Sequence, residues 1–253
     1  MDLQLSGRKA LVSGGTKGIG RAVVEGLTAE GVAVAFCART EADVKEAERA
    51  MRAGGAEVIG TAVDVGDGAA VTSWVGSAAE QLGGIDIVVA NVSALGIGNE
   101  EEHWRSSFEV DMLHTVRMVD AAMPHLERSD AASIIAVSSV SGREIDFTAG
   151  PYGVMKAAIV HYVQGLAHQL APKGIRANSV APGNTYFDGG VWQNIEQNMP
   201  DLFAQAMALN PTGRMGTPEE AAYAVVMLAS PRAGRITGTN LVVDGALTRG
   251  VQL

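Results

Sequence analysis

Short apolar segments alternate with stretches of helical periodicity along the whole chain. Seven segments are nearly continuous in aliphatic residues and predict strands at residues 10–13, 32–37, 58–63, 85–90, 134–138, 177–180 and 241–243. The spacing of apolar residues between them predicts helices at 21–29, 41–52, 71–81, 104–126, 152–170 and 218–228. Strands without polar alternation are typical of parallel sheets that are covered on both faces. The pattern therefore predicts an α/β fold, with a doubly wound parallel sheet in a single domain over residues 1–253.

The stretch at residues 184–213 departs from this alternation. It lies between two strand–helix units and is rich in Asn, Met and aromatic residues. Long excursions in a compact fold are commonly lids or binding loops. We therefore predict a substrate lid, with Tyr186, Phe187 and Trp192 as candidate substrate contacts. Two alternatives remain open: a surface insertion without a role, and side chains that only pack the lid onto the body.

Composition and charge narrow the class of protein. The chain has 253 residues, of which 47% are hydrophobic and 19% charged, so a folded chain with a large core is expected. The net charge is −9 and there is no basic run, so nucleic acids and anionic membranes are poor partners. Cys37 is the only cysteine, which excludes an internal disulfide and a multi-thiolate metal site. With no signal peptide or membrane span visible, we expect a cytoplasmic protein without a metal.

A glycine-rich turn lies where the first predicted strand passes into the first predicted helix. Residues 13–20 read Ser-Gly-Gly-Thr-Lys-Gly-Ile-Gly. In a dinucleotide-binding turn Gly14 permits the tight turn, Gly18 lets the backbone approach a pyrophosphate, and Gly20 allows close helix–strand contact. The N-terminus of the helix then offers free N–H groups to the phosphates. The predicted cofactor contacts in this turn are Gly14, Thr16, Lys17, Gly18, Ile19 and Gly20.

Cations near this turn favour NADP(H) over NAD(H). About 20 residues after such a turn, an NAD-binding unit places an acid on the ribose 2′-hydroxyl. Here that position is Ala38, Arg39 follows it, and Lys17 lies in the turn. A guanidinium binds a 2′-phosphate through a bidentate fork. NAD(H) remains possible, because both cations also fit a role as ordinary surface charges and Glu41 is close by. Asp64 is placed either to accept from an adenine amino group or to cap the following helix.

Three polar side chains predict acid–base chemistry. Tyr152 and Lys156 lie four residues apart in a predicted helix, so both emerge on one face. A tyrosine titrates near pH 10 and is a poor acid–base group at neutral pH, but a neighbouring ammonium stabilises its phenolate. Ser139 follows the fifth predicted strand and is placed to hydrogen-bond a substrate oxygen. The alternative interpretation is an amphipathic helix with a half-buried tyrosine.

Together these segments resemble the short-chain dehydrogenase/reductase family over essentially the whole chain. Further matches are Asp64-Val65, residues 86–93, residues 175–183 and residues 238–245. The resemblance implies a Rossmann-type fold with seven strands and hydride transfer between a nicotinamide and a carbonyl or alcohol carbon. It implies Tyr152 as the acid–base, Lys156 as its electrostatic partner and ribose ligand, and Ser139 as the group that orients the carbonyl. It also implies cofactor contacts from Tyr152, Lys156, Asp64, Val65, Asn91, Pro182, Gly183 and Thr185.

Asp111 is the main departure from the family pattern. It occupies the position of the family's tetrad asparagine, which acts largely through its main-chain carbonyl by holding a water that leads to the lysine. We expect that relay to persist in Asp111, and a buried carboxylate near Lys156 to shift the pH optimum. In addition, Phe187 replaces a customary threonine, and Ser13 replaces the threonine that usually opens the glycine turn.

The function predicted from the sequence is NADP(H)-dependent interconversion of a ketone or aldehyde and an alcohol. The apolar lid suggests a hydrophobic or aromatic substrate. A 3-oxoacyl-[acyl-carrier-protein] reductase is one alternative, with Arg128 and Lys173 as candidate cations for an acidic partner. A non-catalytic dinucleotide-binding protein is another. The resemblance implies a homodimer or homotetramer that pairs the helices predicted at 104–126 and 152–170.

Overall fold

Within residues 2–251, which the computed structural model describes, seven strands form one sheet. The strands are β1 (Lys9–Ser13), β2 (Ala33–Ala38), β3 (Val58–Ala62), β4 (Ile87–Ala90), β5 (Ser133–Val137), β6 (Arg176–Pro182) and β7 (Asn240–Val243). All neighbours pair in parallel, in the order β3-β2-β1-β4-β5-β6-β7. Each strand overlaps a predicted one, so the doubly wound, Rossmann-type fold expected from the sequence is confirmed.

Nine α-helices lie within the described residues. They are α1 (Gly18–Ala29), α2 (Glu41–Ala53), α3 (Gly68–Leu82), α4 (Glu101–Ser107), α5 (His114–Leu126), α6 (Pro151–Leu170), α7 (Val191–Asn198), α8 (Pro200–Leu209) and α9 (Pro218–Ala229). The single helix predicted at 104–126 is wrong in detail, because a π-helical segment, Phe108–Leu113, separates α4 from α5. The stretch predicted as a lid contains α7 and α8. None of the helices in this part of the chain has the length and apolar character needed to cross a membrane.

Apolar side chains cover both faces of the sheet because successive strand residues point to opposite sides. Leu11 and Val12 of β1 are both fully buried, yet they belong to different clusters. Leu11 packs with α3, α5 and α6, which contribute Trp74, Met118 and Ile159. Val12 packs with residues of α1, α2 and α9. The nearly continuous apolar strands of the sequence are explained by this double coverage.

The strand order reverses between β1 and β4. In an open α/β sheet this reversal leaves a crevice at the carboxyl ends of the strands, where ligands bind. β1 ends at Ser13 and is followed by α1, while β4 ends at Ala90 and β5 at Val137. The glycine turn and the two segments that follow β4 and β5 therefore meet at this crevice.

Candidate active site

The turn between β1 and α1 brings backbone N–H groups to the crevice. Gly14 and Gly18 have φ angles of 74° and 55°, a region that favours glycine. At Gly20 a Cβ atom would lie 2.1 Å from the carbonyl oxygen of Gly14, so only glycine fits. Lys17, the N-cap residue of α1, makes no side-chain capping hydrogen bond. The first amides of the helix are therefore free for a phosphate, and the turn fits the pyrophosphate of a dinucleotide.

A cleft of about 410 Å³ runs from this turn along the carboxyl ends of the central strands to the segment after β6. It is lined by most of the predicted site residues: Gly14, Thr16, Lys17, Gly18, Ile19, Gly20, Arg39, Val65, Asn91, Ser139, Tyr152, Lys156, Pro182, Gly183, Thr185, Phe187 and Trp192. Asp64, Asp111 and Tyr186 do not line it. The structure thus brings the glycine turn and the three acid–base candidates into one cavity.

Lys156, a residue of α6, is held by a hydrogen bond to the last residue of β5. Its side chain is almost fully buried, and the ammonium donates a hydrogen bond to the carbonyl of Val137 at 3.0 Å. Its Nζ lies 5.6 Å from the centre of the Tyr152 ring. Ser139, which is also buried, accepts from the N–H of Ser141 at 3.2 Å. Because these bonds tie the side chains to backbone, the geometry around Tyr152 is set before any substrate arrives.

Of the charged residues predicted near the adenosine, the cations Arg39 and Lys17 line the cleft, whereas the acid Asp64 does not. Arg39 and Lys17 both line the cleft, so both are available to a phosphate. Asp64 is exposed, and its Oδ1 accepts from the N–H of Gly66 at 2.9 Å, which closes a turn. The cap of α3 is Asp67, whose side chain accepts from the N–H groups two and three residues on. The alternative in which Asp64 caps this helix is therefore wrong.

Comparison with known proteins decides the family. A family model described as enoyl-(acyl carrier protein) reductase matches residues 14–248. Isoepoxydon dehydrogenase patN of Aspergillus clavatus is 42% identical over 253 residues, which cover 98% of this chain and 97% of that protein. An NADPH-bound short-chain oxidoreductase of Pseudomonas aeruginosa, described as having an atypical catalytic center, has a TM-score of 0.89 and 31% identity over 96% of this chain and 98% of that one. This chain belongs to the short-chain dehydrogenase/reductase family.

A second solved member of the family carries its cofactor. A short-chain dehydrogenase of Burkholderia cenocepacia in complex with NADP has a TM-score of 0.85 and 28% identity, over 96% of this chain and 99% of that one. The resemblance drawn from the sequence is therefore confirmed, and this chain belongs to a family of oxidoreductases. The roles of individual residues in this short-chain dehydrogenase/reductase remain predictions.

Asp111 meets Lys156 in a way that the family pattern does not predict. Asp111 is fully buried in the π-helical segment, and its Oδ1 lies 3.4 Å from Lys156 Nζ. Oδ2 accepts from the N–H of Ala94 at 3.1 Å, whereas Oδ1 has no hydrogen bond. The main-chain carbonyl, expected to act in a water relay, accepts from the hydroxyl of Thr115 at 2.9 Å. The contact with Lys156 is therefore made by the carboxylate.

His114 is a site residue that the sequence interpretation missed. Its Nε2 lies 2.9 Å from Ser13 Oγ, and its Nδ1 lies 3.0 Å from the carbonyl oxygen of Val110. Ser13 Oγ also accepts from the N–H of Asn91 at 3.0 Å, so this short-chain dehydrogenase/reductase links its π-helical segment to its glycine turn. The pKa of His114 is lowered to about 4, mainly by burial and in addition by the nearby charge of Lys156, while the hydrogen bond to the Val110 carbonyl and the charge of Asp111 oppose the shift.

The buried imidazole predicts a loss of stability in mild acid. The pKa of His114 is about 4 in the folded state against 6.5 for the free group, so below pH 6.5 the unfolded chain binds the extra proton. The contribution of His114 to the free energy of unfolding is thus fully present above pH 6.5. It is lost as the pH falls toward 4, by about 3 kcal/mol. We expect urea unfolding at several pH values to show that the free energy of unfolding depends less steeply on pH in His114→Gln than in wild type. The control is His168→Gln, at an exposed position. The same pH dependence of the free energy of unfolding in all three proteins would contradict the prediction.

The lid meets the cleft at fewer places than the sequence predicts. Tyr186 does not line the cleft: its hydroxyl donates to Glu196, and its ring packs edge-on against Phe203 with centroids 6.1 Å apart. Trp192 is buried and lines the cleft. The ring of Phe187 covers the glycine turn, since a Cβ on Gly18 would lie 2.6 Å from it. Tyr186 therefore contacts other lid residues, and the alternative in which lid side chains only pack the lid onto the body does not describe Trp192, which lines the cleft.

Three further cleft residues lie in the loop between β5 and α6. Ser141, Asp146 and Phe147 line the cavity, and none of them is among the candidates from the sequence. The Phe147 ring meets Trp192 edge-on, with centroids 5.5 Å apart and planes at 71°. This pair closes one wall of the cleft between the loop and the lid. The only signal in the sequence is position, because the loop joins Ser139 to Tyr152.

Proposed function

We propose that this short-chain dehydrogenase/reductase is an NADP(H)-dependent enzyme that interconverts a ketone or aldehyde and an alcohol. One observation carries the proposal: Ser139, Tyr152 and Lys156 line a single cleft that continues into the glycine turn. A protein that only senses a dinucleotide needs the turn but not these three side chains. A catalytic role therefore accounts for more of the site than a binding role.

The chemistry is divided between a bound cofactor and the chain. A nicotinamide dinucleotide, when bound, supplies or accepts the hydride. The backbone of the glycine turn, with Lys17 and Arg39, would hold its phosphates. In the reducing direction Ser139 donates a hydrogen bond to the carbonyl oxygen, and Tyr152 donates its proton to the same atom. Lys156 then stabilises the negative charge left on the tyrosine oxygen.

Two features favour NADP(H) over NAD(H). Arg39 and Lys17 line the cleft, and Ala38 leaves no carboxylate at the end of β2 to bind a 2′-hydroxyl. Two solved members of the family hold NADPH and NADP. We expect Arg39→Ala to raise the KM for NADPH by about tenfold, because one charge-assisted phosphate contact is lost, and to leave the KM for NADH nearly unchanged. Steady-state kinetics with each cofactor measures this.

The control for that substitution is Arg49→Ala. Arg49 lies on α2, is exposed and pairs with Glu46 in the same helix. Its loss removes the same charge without touching the cleft. If Arg39→Ala and Arg49→Ala raise the KM for NADPH equally, or if wild type uses NADH tenfold better than NADPH, the assignment of the 2′-phosphate to Arg39 is wrong.

The substrate end of the cleft is mainly apolar. Its walls include Leu95, Ile97, Phe147 and Trp192, which suit a hydrophobic or aromatic ketone. A 3-oxoacyl thioester of an acyl carrier protein is the second candidate, because the matching family model is named for a reductase whose substrates are bound to an acyl carrier protein. The candidate cations do not support that partner, however, because Lys173 pairs with Glu127 and neither Lys173 nor Arg128 lines the cleft.

NADPH consumption tests the proposal directly. Purified protein is assayed with aromatic ketones, cyclic ketones, diketones and 3-oxoacyl thioesters, each with NADPH and with NADH, and in the oxidising direction with isoepoxydon and NADP+ or NAD+. We expect turnover of ketones with NADPH. Turnover of the thioesters alone would favour the second candidate function, and turnover of no carbonyl compound in either direction would overturn the proposal. The homodimer or homotetramer expected from the resemblance remains a prediction.

A further inference from the structure

A carboxylate lies at the substrate end of the cleft, close to Ser139. Asp146 belongs to the loop between β5 and α6 and lines the cavity. Two hydrogen bonds in series connect it to Ser139: the Ser139 hydroxyl contacts Ser141 Oγ at 3.3 Å, and the Ser141 hydroxyl donates to Asp146 Oδ2 at 2.6 Å. Asp146 is therefore within reach of a substituent on a substrate whose carbonyl oxygen is bound by Ser139.

The remaining hydrogen bonds of Asp146 leave one acceptor position. Its Oδ1 accepts from both the N–H and the hydroxyl of Thr148, at 2.8 and 2.6 Å. An ionised carboxylate accepts about four hydrogen bonds, and three are used here. The free position is on Oδ2, which carries only the bond from Ser141. Because the three bonds fix the side chain, this acceptor is held in place before a substrate binds.

The charge of Asp146 has no cationic partner in the described part of the chain. Among residues 2–251, no lysine, arginine or histidine forms an ion pair with it. The cations that line the cleft are Lys17 and Arg39 near the glycine turn, and Lys156, which already pairs with Asp111. An uncompensated carboxylate favours a ligand that donates a hydrogen bond and disfavours an anion.

We propose that Asp146 is a specificity residue that selects hydroxy ketones, and the corresponding diols, over plain ketones and keto acids. The inference rests on the proposed function. The substrate hydroxyl, on the carbon next to the carbonyl or one further along, donates to Asp146 Oδ2, while the carbonyl oxygen lies between Ser139 and Tyr152. The apolar remainder of the substrate packs against Phe147 and Trp192. A carboxylate at the place of the hydroxyl is rejected by charge repulsion.

Matched ketones test this selection. With NADPH, we expect wild type to show a kcat/KM about tenfold or more higher for 2-hydroxycyclohexanone than for cyclohexanone, the usual effect of one hydrogen bond to a charged group. Asp146→Asn keeps the shape of the side chain but removes its charge, and it should lose most of this preference. The ratio of the two kcat/KM values is the readout, because an effect passed through Ser141 to Ser139 changes the turnover of both ketones alike. The control is Glu144→Gln on the same loop. Glu144 accepts from the N–H groups of Arg249 and Gly250 and does not line the cleft, so the preference should remain.

Each outcome decides the proposal. Equal kcat/KM for the two ketones in wild type, or an unchanged preference in Asp146→Asn, overturns it. If neither ketone is turned over, calorimetry with cyclohexanol and 1,2-cyclohexanediol in the presence of NADP+ decides instead. A preference for the diol that is lost in Asp146→Asn upholds the role of Asp146 even where the proposed catalytic function has failed. Equal affinity for the two alcohols overturns that role.

Discussion

Tyr152→Phe is expected to lower kcat for ketone reduction by about 10²- to 10⁴-fold, the usual contribution of a positioned proton donor. The substitution removes one oxygen atom and leaves the ring in place, so the cleft keeps its shape. Lys156 stays bonded to the Val137 carbonyl, and the glycine turn is untouched. Binding of NADPH, measured by quenching of protein fluorescence, should therefore change by less than about threefold.

The matched control is Tyr223→Phe. Tyr223 lies on α9, is largely exposed and does not line the cleft, so its variant should keep wild-type activity. If Tyr152→Phe retains most of its turnover, Tyr152 is not the acid–base group and the proposed mechanism fails. If it loses NADPH binding together with turnover, the hydroxyl holds the cofactor and the kinetic loss does not report proton transfer.

Asp111→Ala is expected to lower the free energy of unfolding by about 3–5 kcal/mol, because it leaves a buried ammonium without its counter-ion. The side chains of Asp111 and Lys156 are 0% and 3% exposed, so water does not replace the lost carboxylate. The substitution also removes the acceptor for the N–H of Ala94. Urea unfolding with an unchanged m-value measures the loss, and activity should fall because only the Val137 carbonyl then holds Lys156 beside Tyr152.

Asp111→Asn separates charge from shape at the same position. It restores the residue that the family usually carries, and its amide oxygen still accepts from the N–H of Ala94. We expect it to be clearly more stable than Asp111→Ala and to shift the pH dependence of kcat, since a negative charge next to Lys156 is gone. Wild-type stability in Asp111→Ala would show that the ion pair does not contribute, and an unchanged pH profile in Asp111→Asn would remove Asp111 from the electrostatics of the site.

The fold was readable from local patterns. All seven strands overlap the predicted apolar runs, because a strand covered on both faces is apolar at every position. Thr217 begins α9 through a capping box with Glu220, and both partners lie within one helical turn. The predictions failed where neighbours along the chain do not determine the backbone. The π-helical segment at Phe108–Leu113 carries no periodicity of its own, and α7 and α8 pack on each other around Trp192 and Ile195.

The residues of the candidate site also fall into two groups, those predicted from local spacing and those that depend on long-range contacts. Gly14, Gly18 and Gly20 share one turn, and Tyr152 and Lys156 share one face of α6, so their spacing in the sequence already indicated a dinucleotide and an acid–base pair. The contact of His114 with Ser13 joins residues 101 positions apart, and the ion pair of Lys156 with Asp111 joins two different helical segments. Contacts of this kind depend on how strands and helices pack, and no local spacing encodes them. Local motifs therefore identified the family, and the resemblance to it already placed Asp111 near Lys156. Long-range packing decided which atoms of Asp111 contact Lys156, brought His114 and Asp146 to the site and turned Tyr186 away from the cleft.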